Sequence, residues 1–203
     1  VIITACMDVP VYAELRAAGE RWTGMAPSVA CRHALRGWDG PGLPGFRPTL
    51  GGHPRQLKLI AEEIAKAKRP VILAGHGILI ADATEELRAL AEKARIPVAW
   101  TLLGIGAIDE THPLAYGYMG MHGWKHVNRA IQAADLLIAV GMRFDDRVTG
   151  NVRTYAPYAR IVHVDIDPAE IGKNVAVEVP VVGDAKRVLH GLLPIVHEVP
   201  EAE

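Results

Sequence analysis

Leu136–Gly150 reads LLIAVGMRFDDRVTG. An unbroken apolar run closed by a glycine is the pattern of a parallel strand buried on both faces. Arg143, Asp145, Asp146 and Arg147 follow it directly. In open α/β sheets, ligands bind beyond the carboxyl ends of the strands, so these charges fall where a site is expected. Taken alone they read better as a solvated salt-bridge cluster, because charge runs usually face water.

The same strand pattern recurs on both sides of this run. Upstream, Val71–Gly75 (VILAG) and Pro97–Thr101 are short apolar segments; downstream, Ile161–Asp167 (IVHVDID) and Val179–Gly183 are two more. Helical periodicity alternates with them. Pro54 suits a first helical position, and Leu57, Ile60, Ile64 and Ala67 then recur at spacings of three and four until Pro70 ends the helix. Asp82 with Glu85 spells a capping-box start for a helix whose apolar face is Leu87, Leu90, Ala91 and Ala94. Val127–Ala134 reads as a third helix, and Asp184 as the cap of a last one. Alternation of this kind implies βαβ units. The expected fold is α/β: a Rossmann-like, doubly wound, mostly parallel sheet of about five or six strands with helices on both faces.

Composition agrees with a globular chain. Of 203 residues, 50% are hydrophobic and 22% charged, with a net charge of −1. No basic excess points to nucleic acid, and aromatics at 5% are too few for base-stacking platforms. No apolar run reaches the roughly 20 residues a membrane span needs. Cys6 and Cys31 form no CxxC and suggest a reducing, cytoplasmic setting. The chain begins at Val1 and reads as an excised piece or a processed product. Three segments are expected: a poorly readable extension or linker over 1–43, a domain over 44–197 and a tail over 198–203. GWDGPGLPGFRP, from Gly37 to Pro48, is the Gly/Pro punctuation between the first two.

The strand ends carry a consistent set of residues. They are Gly75-His76-Gly77; Thr101 with Gly104 and Gly106; Gly141 with the charge run; Asp165 and Asp167 on one side of a strand; and Gly183-Asp184. Glycine lets a ligand approach the backbone, arginine offers a fork to phosphate oxygens, and carboxylates accept from sugar hydroxyls. Together they suit a pyrophosphate flanked by sugars. Each is weak singly: Gly75-His76-Gly77 reads equally as a plain turn, and a G-x-G-x-x-G fingerprint is missing, which argues against an ordinary NAD enzyme. His122 and His126 are placed to share a helix face, but without HEXXH or a third ligand no metal is assigned. G-x-S-x-G and Walker motifs are also missing, and no residue is assigned a catalytic role.

Taken in order, GMRFDDRVTG (141–150), IVHVDIDPAEIGKN (161–174), TLLGIGAI (101–108), HPL (112–114), YMGMHG (118–123), KRPVILAG (68–75), PGFRPT (44–49) and DVP (8–10) closely resemble the middle domain of the acetolactate synthase large-subunit family. The resemblance covers most of residues 44–196, and residues 11–43 fall outside it. It implies a three-domain, thiamine diphosphate-dependent enzyme of branched-chain amino-acid biosynthesis. That enzyme condenses two pyruvates, or pyruvate and 2-oxobutyrate, with loss of CO2. Thiamine diphosphate and Mg2+ would sit in the flanking domains, and FAD in this one. A homo-oligomer and a regulatory subunit are implied for the parent, and no activity for the chain alone.

Carried over by motif, the implied FAD contacts begin with Gly75, His76 and Gly77, where the family usually has three glycines. Thr101, Leu102 and Leu103 lie along the flavin side, and Met119, Gly120, Met121 and His122 cover the ribityl and flavin region. Gly141, Met142, Arg143, Asp145, Arg147 and Val148 form the central clamp. Asp165, Ile166 and Glu170 reach the adenosine, and Gly183 and Asp184 close that end. Asp146 and Arg147 also match positions lining the family's herbicide-sensitive channel. The competing expectation is a scaffold domain of a thiamine diphosphate enzyme that binds no flavin.

Overall fold

The computed structural model describes residues 49–198. The 1–43 extension, both cysteines, the Gly37–Pro48 punctuation, DVP, all but the last residue of PGFRPT and residues 199–203 of the tail lie outside them.

Six helices and six strands are named here in chain order: α1 Pro54–Lys66, β1 Pro70–Ala74, α2 His76–Ile80, α3 Thr84–Ala94, β2 Val98–Trp100, β3 Ala115–Tyr118, α4 Lys125–Ala133, β4 Leu136–Val140, α5 Asp146–Thr149, β5 Arg160–Asp165, β6 Val179–Val182 and α6 Ala185–Leu192. The strands form one sheet in the order β3-β2-β1-β4-β5-β6, and every neighbouring pair is parallel. The chain winds outward from β1 to β3, then returns to lay β4 against β1. The winding direction reverses there, which makes the crevice past the ends of β1 and β4 the topological switch point. Ala74 pairs with Val140, and Val140 with Val164, so these three strands stop at one level.

Strand alternation divides the core in two. Ile72, Ala74, Leu136, Ile138 and Val140 pack on one face with Ile60, Ile64, Leu87, Leu90, Val188 and Leu189 from α1, α3 and α6. Val71, Leu73, Leu137 and Ala139 pack on the other with Val127 and Ile131 of α4. The doubly wound arrangement follows from β1 and β4 being buried along their whole length. Below the sheet, the Asp135 carboxylate accepts from Lys68 N (2.7 Å) and Arg69 N (2.9 Å), tying the start of β1 to that of β4.

The six-stranded sheet bears out the expected fold, with one strand added to the five read from the sequence and three local expectations corrected. β3 is an edge strand that the apolar pattern does not announce. It is half-buried and joins β2 across a register shift between Val98 and Ala99. Asp82 does not cap α3: its φ of 54° is left-handed rather than extended, Ala83 is the N-cap, and no side chain caps it. Asp82 instead receives Lys186 Nζ on its carbonyl at 2.7 Å. Asp165 ends β5, and Asp167 lies past it, donating its N–H to Asp165 Oδ1 at 2.9 Å, so the two do not share a strand face. His122 stands in a turn ahead of α4, and only His126 is on the helix, so the pair shares no helix face.

Candidate functional site at the ends of the strands

The tips of β1 and β4 cross at backbone contact. Gly75 N donates to Val140 O (3.0 Å), Gly77 N to Gly141 O (3.0 Å), and Gly141 N to Val164 O (2.8 Å). A Cβ on Gly75 would stand 2.1 Å from Gly141 O, and one on Gly77 would stand 2.5 Å from Gly141 Cα. Gly141 has φ +63°, a conformation that costs an L-residue free energy. Glycine is needed here so that two backbones can meet. Gly75-His76-Gly77 is therefore the entry to α2 and not a plain turn. His76 is exposed between the two tight positions and leaves the crossing intact.

Beyond the crossing, side chains alternate inward and outward. Met142 and Phe144 are buried; Arg143 is exposed and Asp145 half-exposed. Arg143 Nη2 stands 3.8 Å from Asp145 Oδ2 at an open surface, a pair worth little by itself. Asp145 Oδ1 also accepts from Val148 N (3.2 Å), which caps the start of α5 and holds Asp145 in place. Asp146 and Arg147 are exposed and Val148 half-buried.

On the β2–β3 side, Thr101 N donates to Ala74 O at 3.0 Å, and a Cβ on Gly104 would lie 2.4 Å from that oxygen. This tight turn projects Leu102 and Leu103 outward, each 63% exposed. Met119 is buried, whereas Met121, 55% exposed, and His122 face outward. The 119–123 loop is bonded to the clamp, with Met121 N donating to Arg147 O at 2.7 Å. Asn128 holds it from α4: its Oδ1 accepts from Gly120 N (3.0 Å) and its Nδ2 donates to Gly120 O (2.8 Å).

Past β5, the Asp165 carboxyl is pushed above the usual range, first by burial, against a lowering hydrogen bond from the Asp167 backbone; the Glu170 charge raises it further. Glu170 Oε1 pairs with Lys173 Nζ at 3.2 Å, and no donor among the described residues reaches its buried Oε2. Ile166 is exposed. Gly183 N donates to Asp165 O at 2.9 Å, and Asp184 caps α6 by accepting from Arg187 N at 3.0 Å. Gly183 sets the end of the row through its backbone and Asp184 through its side-chain cap.

The described part of every candidate contact thus lies along one edge of the sheet, with β1 and β4 at its centre. Exposed apolar side chains flank one end and acceptor carboxylates the other. Such a row suits an extended ligand with a flat apolar part, an anionic middle and sugar hydroxyls. Among the described residues, no group of three or more His, Cys, Asp or Glu comes together as a metal site, and no helix is long and apolar enough to cross a membrane.

Three supporting residues were not singled out from the sequence: Asn128, His163 and Asn174. Asn174 Nδ2 donates to Phe144 O at 3.0 Å. His163 is 1% exposed, and its Nε2 meets Met142 O at 2.7 Å. Burial pushes its imidazole below the ordinary range, outweighing the raising effects of that bond and of Asp165 and Glu170.

A family model described as thiamine pyrophosphate enzyme, central domain, matches residues 57–192. The chain is 58% identical over 151 residues to the probable acetolactate synthase large subunit of Methanocaldococcus jannaschii, covering 74% of this chain and 26% of that protein. It is 55% identical over 151 residues to the acetolactate synthase large subunit of Corynebacterium glutamicum, covering 74% and 24%. With the acetolactate synthase of Mycobacterium avium the identity is 50% over 153 residues, covering 75% and 25%. The chain spans about a quarter of the length of these curated relatives.

Proposed function

The chain belongs to the thiamine pyrophosphate enzyme central-domain family, and from that premise we propose that it is the FAD-holding middle domain of an acetolactate synthase large subunit. The crossing of Gly75 and Gly77 against Gly141 at the switch point carries the reading, because it brings the loops that end β1 and β4 together at backbone contact. Arg143 would face the pyrophosphate, Asp165 and Glu170 the adenosine sugar, and Leu102, Leu103 and Met121 the flavin. When bound, the flavin would supply a structural element rather than net redox, since the parent condensation of two pyruvates, or of pyruvate with 2-oxobutyrate, has no net electron transfer. Thiamine diphosphate and Mg2+ belong to the flanking domains of the parent. That parent is a cytoplasmic homo-oligomer with a regulatory subunit.

Fluorescence and calorimetric titration with FAD tests the reading. Saturable binding is expected, and none at high micromolar FAD would leave a flavin-free scaffold. Arg143→Ala should weaken binding by about 1.5–3 kcal/mol, roughly 10- to 150-fold, the scale of a charge-assisted hydrogen bond. Unchanged affinity would return Arg143 and Asp145 to a plain surface pair. The chain alone should turn over no pyruvate, and acetolactate formed without added domains would overturn that.

A further inference from the structure

We propose that His163 is the positioning residue of the Gly141–Asp145 turn, holding from beneath the backbone that presents Arg143 and Asp145. The inference rests on the flavin reading only for what the turn binds; the positioning itself rests on geometry.

Two of the five residues in that turn are left-handed, Gly141 at φ 63° and Phe144 at φ 49°. The second is costly for a bulky side chain and persists only where its surroundings over-determine it. His163 acts on it twice. Its Nε2 meets the Met142 carbonyl at 2.7 Å. A carbonyl only accepts, so Nε2 carries the proton and Nδ1 is bare. Its ring also stands edge-on to the Phe144 ring, with centroids 5.1 Å apart and planes at 88°. Tyr155 also meets the Phe144 ring edge-on, at 6.1 Å and 75°. With Phe144 2% exposed, these contacts hold its side chain and, through it, its backbone.

The position itself argues for a role. His163 lies on β5, two residues from Ile161 and on the same apolar face. No donor among the described residues reaches its buried Nδ1. An aliphatic side chain there would bury no unmatched nitrogen. What the imidazole adds is the donor to Met142 O and the flat edge against Phe144.

The test is amide hydrogen exchange on the whole chain, with FAD binding measured in parallel. His163→Phe keeps a ring and removes the donor; His163→Gln restores an N–H without the ring. His163→Leu serves if the larger ring is not accommodated. The reporting amides are Gly77, Met121, Val148 and Thr149, whose acceptors all lie between Gly141 and Arg147. In His163→Phe they should exchange about tenfold faster or more, while amides within β1 and β4 stay at the wild-type rate. His163→Gln should recover most of the protection. FAD affinity should fall in the same order as protection. A folded His163→Phe with wild-type exchange at the four amides overturns the inference, as does acceleration spread evenly over the sheet. If the wild-type chain takes up no FAD, the functional reading falls, and the exchange rates still decide the role of His163.

Discussion

Replacing Gly77 by alanine probes the crossing on which the site is built. The new methyl would lie 2.5 Å from Gly141 Cα and 3.2 Å from Gly141 O. Ordinary van der Waals contact begins about 1 Å further out than the shorter of these. The obstacle is backbone rather than a flexible side-chain end, so the two loops must part. Parting them stretches the Gly77 N to Gly141 O bond, now 3.0 Å. Overpacking of this kind costs about 1–3 kcal/mol, and a weakened hydrogen bond adds about 0.5–1.5 kcal/mol. The sum is about 1.5–4.5 kcal/mol. For a chain of this size that lowers the melting temperature by roughly 3–18 °C.

Urea unfolding followed by circular dichroism measures the loss, and Gly51→Ala is the control. A Cβ on Gly51 meets nothing within 4 Å, and its φ is not left-handed, so its effect should stay within about 0.5 kcal/mol of zero. Where Gly77→Ala still folds, FAD affinity should fall as well, because Gly141 begins the turn bearing Arg143. A midpoint shift for Gly77→Ala no larger than that of Gly51→Ala would refute the claim that the strand tips meet at backbone contact.

Asn128→Ala removes both bonds to Gly120 and should cost about 1–3 kcal/mol; faster amide exchange at Gly120 and Met121 is the local readout, and a wild-type exchange pattern would deny Asn128 its role. Burial holds His163 below its ordinary value of 6.5, so on acidification the unfolded chain takes that proton first, and stability is lost as pH falls from 6.5 toward the folded value. Urea midpoints between pH 7 and 5.5 should show this decline, and His163→Phe should flatten it. Asp165, raised above 3.8, works in the opposite sense in a lower window: its contribution is present below 3.8 and lost as pH rises through the folded value.

The strands easiest to read in the sequence were the ones buried most completely. β1 and β4 are covered on both faces, so every residue is apolar or small and the run stands out. β3 sits at an edge, shows one face to water and carries Gly117 at φ +129°, so Ala115–Tyr118 looks like a loop. The Asp82–Glu85 pair had the right residue types for a cap, but φ at Asp82 is set by how α2 hands over to α3, which residue types do not reveal. Gly75, Gly77 and Gly141 stood out as strand-end glycines read for the approach of a ligand; that two backbones meet there shows only in the fold. Asn128, His163 and Asn174 were not, since each bonds a backbone carbonyl, and carbonyls look alike at every position. Those acceptors lie 8, 21 and 30 residues away along the chain, and only the folded sheet brings them together.

That difference also explains the missing fingerprint. A G-x-G-x-x-G turn places its glycines on one strand–helix connection, where the sequence displays them together. Here Gly75 and Gly77 come from the end of β1, and Gly141 comes from the end of β4, 64 residues past Gly77. The close approach that one loop makes in the ordinary case is assembled from two strands. It exists only once β1 and β4 have paired, because Gly77 N needs Gly141 O as its acceptor. A site so divided is absent from the unfolded chain. Any ligand that uses it binds the native state alone and stabilises the sheet by mass action. The charge run 143–147 acquires its meaning in the same way. Its exposed Arg143–Asp145 pair has little energetic worth, and what distinguishes it from any other surface pair is the backbone crossing from which it projects.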